Sequence, residues 1–300
     1  MPDVFRHLPA PEGVDVEARL VERLFPADGL ELNNPYHLQS LQHAAEDGLG
    51  LTVTPALARR LLRQINTEVR SYPDDAGPFT PSRSDVTLVM GAVLGRLVLP
   101  RLRPARRSDV DEAFQAVASL RMTQAIEGFP PMLSGPGSHR RDEAIHLIQT
   151  HLLSDEWRAV AAACRAIAWW APDEPGLRAT RKAAYPPDLT PTILAALSAN
   201  RDEGAHSLLE LLARMLAVGM LKPAERKLLV ATLPSCLAFN AYASVDPLSK
   251  RAIGVSLVRM ACARLVRGLR ATDPSPALST LYVMLANDPL PEVRQALADA

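Results

Sequence analysis

Apolar residues recur along this chain at intervals of three and four, the period of a helix with one buried face. Between 142 and 153, Ile145, Ile148 and Leu152 share a face. Between 157 and 171, Trp157, Val160, Ala161, Cys164, Ile167, Ala168 and Ala171 hold the pattern throughout. Both stretches are predicted helices. No segment alternates between apolar and polar positions as a half-buried strand does, so an all-α chain is expected. The longest apolar run, Val86 to Leu99, is broken by Thr87 and Arg96 and falls short of the roughly 20 residues that cross a bilayer. It reads as a buried helix with no membrane role, and the four-residue spacing of Gly91 and Gly95 predicts a close approach by another segment.

A recurring dipeptide marks helix starts: Thr54-Pro55, Thr190-Pro191, Asp246-Pro247, Asp273-Pro274 and Asp288-Pro289. The Thr or Asp oxygen accepts from the free amides of a first turn, and proline's fixed φ suits the first helical position. Ser108, with Asp111 three residues on, is expected to open a further helix as a capping box. The stretches 73–82, 129–138, 172–176 and 186–191 are rich in Pro, Gly and acidic residues and predict loops.

Composition agrees with this pattern. Apolar residues make up 48% of the 300 positions and aromatics only 5%, so the core is filled by Ala and Leu, which favour helix. Basic and acidic residues balance at 33 each, which leaves no overall field to attract nucleic acid or an anionic membrane. Residues 1–50 are acidic, with 3 basic and 9 acidic side chains, and 51–141 mildly basic, with 13 and 8. Only Lys182, Lys222, Lys227 and Lys250 are lysines, a bias that reads as GC-rich coding. Cys164, Cys236 and Cys262 lie far apart with no CxxC spacing, which argues against a disulfide framework or zinc site and fits a reducing cytoplasm. The opening MPDVFRHLPAPEG lacks the apolar stretch of a secretory signal.

The segments 154–163, 199–208, 246–255 and 288–297 align by a polar turn and the helix that follows it. With Arg158, Gly204, Arg251 and Arg294 as equivalent points, the spacings are 46, 47 and 43 residues. Helical arrays repeat every ~40–47 residues. The last unit, 278–300, resembles a HEAT repeat: Leu278, Leu281 and Leu285 on a first helix, Asp288 in the turn, and the pair Val293-Arg294 opening a second helix. Asp155 followed by Trp157-Arg158 is similar to a weaker copy. The resemblance implies an α-solenoid of stacked antiparallel helix pairs with a concave binding surface, an irregular multi-helix bundle being the alternative. The expected organisation is a helical cap or arm over 1–50, divergent helical repeats over 51–140 and HEAT-like repeats over 141–300.

No GxSxG, GxxxxGK[ST], HExxH or GxGxxG occurs. His146 and His151, five apart on one helix, point about 140° from each other, which does not suit one metal ion. Asp142 and His146 are spaced as a surface pair. No catalytic residue, metal ligand or cofactor is therefore assigned.

Trp157 and Trp170 fall on apolar stripes and read as packing residues, whereas Trp169 shares its stripe with Arg158, Ala162 and Arg165. Either another helix covers Trp169, or Arg158, Arg165 and Trp169 form a partner surface with Arg165 stacked on the indole. Two arginine groups are candidates for phosphate or acidic contacts: Arg101, Arg103, Arg106 and Arg107, with Arg96 nearby, and Arg259, Arg267 and Arg270 on one side of a later helix, with Arg264 adjacent.

The leading expectation is a non-catalytic scaffold or adaptor with a protein partner. The rivals are a nucleic-acid-binding protein or DNA glycosylase of the HEAT-like kind, which is what the resemblance offers as an enzyme, and a sensory or inhibitory subunit of a larger system.

Overall fold

The computed structural model describes residues 16–47, 51–74, 77, 79–102, 105–133, 139–199, 203–237, 253–272 and 275–298. Among them every regular element is helical and there is no strand, and no helix is long and apolar enough to cross a membrane. The chain divides into two compact units, Met1–Ala144 and Ile145–Ala300.

The first unit contains α1 (Val16–Leu24), α2 (Pro35–Asp47), α3 (Pro55–Ser71), α4 (Arg83–Val93), α5 (Arg107–Leu120) and the single turn α6 (Phe129–Met132). Helix α2 packs on α4 and α3 on α5. Helix α4 runs on into a π-helical turn, Leu94–Val98, and this part of the chain lies against the 3₁₀ segment Thr123–Gly128. The Gly91 and Gly95 spacing serves the close packing expected of it: a Cβ on Gly91 would sit 3.3 Å from the Met122 carbonyl carbon, and one on Gly95 would enter the Gln124 carbonyl oxygen. Phe114 and Phe129 stack beside this junction with ring centroids 4.8 Å apart. Buried carboxylates tie the helices: Asp109 takes the Arg59 Nε–H at 3.2 Å and Glu127 that of Arg96 at 2.8 Å.

The division between the units falls within α7 (Arg141–Leu152). The second unit continues with α8 (Trp157–Ala168), α9 (Pro175–Ala183), α10 (Leu189–Ala199), α11 (Glu203–Ala217), α12 (Pro223–Leu237), α13 (Ile253–Thr272), α14 (Pro276–Ala286) and α15 (Pro291–Ala298). Helix α8 packs on α11, α11 on α13 and α13 on α15; alongside them α10 packs on α12, and α12 on α14. Consecutive helices α10 and α11, α12 and α13, and α14 and α15 also pair. The close approach of α8 to α11 follows from sequence, because Ala159, Ala161, Ala162, Ala163 and Ala166 are all buried and small. Leu278, Leu285 and Val293 are fully buried in the last pair, each burial being worth ~1.5–3 kcal/mol.

Proline sets the N-termini. It is the first helical residue of α2, α3, α9, α12, α14 and α15, where the amide it lacks has no partner to lose. Thr54 opens α3 as expected, its hydroxyl accepting the Leu57 N–H at 3.3 Å. Asn34 does the same for α2 and Ser275 for α14, neither anticipated.

Three expected starts are displaced. Helix α10 begins at Leu189, so Thr190 lies inside it, buried and hydrogen bonded to the Tyr185 hydroxyl at 2.9 Å. Helix α15 begins at Pro291, after Asp288-Pro289. Helix α5 begins at Arg107, and the capping carboxylate is Asp109, which accepts the Arg106 N–H at 2.9 Å; Ser108 is exposed. A capping box does exist at Ser82 and Asp85, opening α4. Asp246-Pro247, Asp273-Pro274 and Arg251 lie outside the described residues. Three predicted loops contain helix: 129–132 forms α6, Pro175 within 172–176 opens α9, and Leu189 within 186–191 opens α10.

Candidate functional site

Side chains with recognition chemistry converge between α8 and α11, where a cleft of 470 Å³ opens. Its floor is made of Ala161, Cys164 and Ala168 from α8 and Leu211 and Ala213 from α11. Its rim carries Arg165, Asp173, His206, Ser207, Glu210 and Arg214. The volume falls in the range of ~300–1,000 Å³ seen for ligand clefts. The polar rim of α11 has a simple origin: His206, Ser207, Glu210 and Arg214 recur at helical intervals on a helix whose other faces are apolar.

The rim is fixed by charged contacts. Arg214 donates from Nε to the Ala171 carbonyl at 2.5 Å and from Nη2 to Asp173 at 2.9 Å. This satisfies a carbonyl just past the end of α8, where backbone acceptors have no helical partner. Glu210 accepts from Arg264 of α13 at 2.6 Å and lies 3.8 Å from His206 Nε2. Burial pushes the Cys164 thiol up to about 12, with nearby Arg165 opposing in part, so the sulfur in the floor stays protonated at neutral pH.

The three residues expected to form one partner surface occupy three settings. Arg165 is exposed at the cleft rim. Arg158, at the start of α8, lies 5.0 Å from the Trp157 ring centroid. Trp169 lies just beyond the end of α8, half-buried, with the Arg181 guanidinium of α9 at 4.6 Å over its ring and Arg181 Nη1 donating to its carbonyl at 3.2 Å. Ala162, which lies between Arg158 and Arg165 on the helical stripe, is fully buried, so the stripe is covered at its middle and exposed at both arginines. Trp157 was expected in the core and is 40% exposed, because it is the first residue of its helix and projects past the packed turns. Trp170 is buried as expected and meets both Trp169 and Tyr185 edge to face, at 5.8 and 6.1 Å.

The arginine groups separate as well. Arg101, Arg106 and Arg107 are exposed, and Arg103 lies outside the described residues. Arg96 is drawn to buried Glu127. Arg259 donates to Asp288 and, at 2.9 Å, to the Leu237 carbonyl at the end of α12. Arg267 reaches the Ala296 carbonyl at 3.4 Å, and Arg270 lies 4.2 Å over the Tyr282 ring. Among the described residues no group of three or more His, Cys, Asp or Glu side chains is arranged to hold a metal ion.

Sequence reasoning did not find the cleft. The polar stripe on α11 was readable, but its meeting with Arg165 and Arg264 depends on which helices pack together. Asp288 was read as a helix start, yet it is also the partner of Arg259, 29 residues earlier. No protein-family model, curated protein or solved structure matches this chain.

Proposed function

We propose that the second unit is a short α-solenoid of HEAT-like helix pairs and that the protein is a non-catalytic scaffold, holding a protein partner along the rank formed by α8, α11 and α13. The packing order supports the solenoid reading: each helix of this rank meets the next, as expected when every pair covers the apolar face of its neighbour. Arg158, Gly204 and Arg294, spaced as repeat equivalents, lie in the first turn or so of α8, α11 and α15, the last of which continues the rank by packing on α13.

The scaffold reading is carried by the α8–α11 cleft. Its rim residues Arg214 and Glu210 are held in place before any partner arrives, which reduces the ordering entropy of association. Its thiol is protonated, which suits packing better than attack. Against the nucleic-acid rival stands the engagement of Arg259, Arg267 and Arg270 with Asp288, the Ala296 carbonyl and Tyr282. These three are the second unit's candidates for phosphate or acidic contacts.

The test uses the full chain as bait with a reversible cross-linker, comparing the wild type with Ser207→Trp, which fills the cleft. A partner retained by the wild type and lost by the variant supports the scaffold. A salt-sensitive shift of duplex DNA, with no protein retained, favours the nucleic-acid reading instead.

A further inference from the structure

Cys236 and Cys262 lie far apart in sequence and meet where α12 packs on α13. The Cys262 thiol is hydrogen bonded to Cys236, and both residues are buried. A separate contact fixes their register, since Arg259 Nη1 donates to the Leu237 carbonyl at 2.9 Å. Leu237 directly follows Cys236, and Cys262 comes three residues after Arg259, on the same side of α13. The bond that ties the end of α12 to α13 therefore lies beside the two thiols. Cys164 is different: it sits on α8 in the floor of the cleft, and its thiol is perturbed by burial and Arg165, with no second sulfur involved.

The end of α12 is built to open. Pro234 lies inside this helix and has no amide to offer the Val230 carbonyl one turn back. Beyond it the last turn leans on side chains: the Thr232 carbonyl accepts from Ser235 Oγ at 2.7 Å and from Cys236 Sγ at 3.9 Å. The bond to Cys236, reinforced by burial, pushes the Cys262 thiol well above the ordinary thiol range, with Arg259 opposing. While the turn is closed the pair stays protonated and shielded. Release of the turn admits solvent and an oxidant to Cys236.

We infer that Cys236 and Cys262 are a reactive dithiol that a peroxide closes to an internal disulfide, fastening the end of α12 to α13. Cys236 loses its proton to solvent and attacks one peroxide oxygen; the O–O bond breaks, hydroxide leaves and is protonated to water, and the sulfur becomes a sulfenic acid. The Cys262 sulfur then attacks that sulfur, the S–O bond breaks, and the hydroxyl departs as a second water with the Cys262 proton. The two thiols give up two electrons and two protons, and the peroxide is reduced to two waters. An S–S bond is ~2 Å long, so sulfurs already in hydrogen-bond contact join by side-chain rotation and a small shift of the released turn.

The experiment treats the reduced full chain with hydrogen peroxide at mildly alkaline pH, quenches with catalase, unfolds the chain with a maleimide present, and reads intact mass and a tryptic map. Labelled cysteines are expected to fall from three to one, with Cys236 joined to Cys262 and Cys164 carrying the label; dithiothreitol restores all three. The oxidised chain should melt about 5 °C higher than the reduced one. Cys164→Ala should keep the disulfide and lose the last label. Pro234→Ala, which returns an amide to the Val230 carbonyl, should slow closure by about threefold or more. Oxidation after unfolding should admit Cys164 into the pairing, so a bond confined to Cys236 and Cys262 reports the fold. Three labels retained at excess peroxide, a bond to Cys164 or between chains in the folded protein, or an unchanged rate in Pro234→Ala overturns the inference.

Discussion

Arg259 on α13 and Asp288 in the turn after α14 form an ion pair whose carboxylate side chain is fully buried while the guanidinium keeps 23% exposure. Arg259 Nε donates to Asp288 Oδ2 at 2.8 Å, and Asp288 Oδ1 accepts the Leu290 N–H at 3.0 Å. The Asp288 backbone carbonyl in turn accepts from Arg294 Nη1. One turn residue therefore fastens α13, the α14–α15 connection and α15.

Asp288→Ala is expected to lower stability by about 3 kcal/mol, since it leaves Arg259 without its carboxylate and the turn amide without its acceptor. Urea denaturation followed by circular dichroism measures this. Replacing both residues, as Arg259→Met with Asp288→Ala, should recover part of the loss. A loss no larger than that of an exposed substitution would remove the residue from this role.

Gly95→Ala separates helix propensity from packing. Propensity alone favours alanine in a helix by ~1 kcal/mol. The added Cβ would enter the Gln124 carbonyl oxygen and press on Glu127 Cβ at 3.2 Å, so destabilisation of about 2 kcal/mol is expected. Gly91→Ala, whose nearest contact is 3.3 Å, should lose less. Thermal melts of the two variants give the order.

Glu112 provides a pH signature. Burial raises its carboxyl pKa, Arg63 opposes the rise and Asp109 adds to it, while Oε2 is buried without a partner. A carboxyl raised in the folded state favours folding when protonated and disfavours it once ionised, so its stabilising effect is lost as pH rises through the folded value. Glu112→Gln should therefore be more stable than the wild type at neutral pH, with the difference vanishing at acid pH below the ordinary carboxylate range. Chemical denaturation across that window checks the sign.

Helix α9 should be the first part of the second unit to open. None of its side chains is buried, and it is held by cations on backbone carbonyls: Arg178 on Asp173 at 2.8 Å, Arg181 on Trp169 at 3.2 Å and Lys182 on Gly219 at 2.5 Å. The Trp169 and Gly219 carbonyls lie at or just beyond the C-terminal ends of α8 and α11, where positive charge is favoured, whereas Asp173 precedes α9 itself. Amide exchange over 176–183 should be faster than in α8 or α11 and should quicken with salt. Protection equal to that of α11 would contradict this.

The helical architecture was legible because period and punctuation are local. A proline at the first helical position needs only its neighbours to be read, and Thr54-Pro55 was read correctly. The alanine-rich face of α8 likewise announced its burial through Ala161 and Cys164. What was lost depended on distant partners. Trp157 was misplaced because a periodic pattern does not say where the packed turns end. The capping carboxylate of α5 was misassigned by two residues because Asp109 and Asp111 look alike until Arg59, 50 residues earlier, engages one of them. Arg259 looked like a phosphate ligand for the same reason, with Asp288 nearly a full helix pair away.

The binding face is tested most directly by placing a photo-activated cross-linking residue at Ser207, on the cleft rim, and separately at Ser279, on the exposed side of α14, and irradiating cells that express each form. Discrete adducts from Ser207 that are absent from Ser279 are the predicted result. Adducts from Ser279 alone, or the same adducts from both positions, would contradict a partner held along α8, α11 and α13.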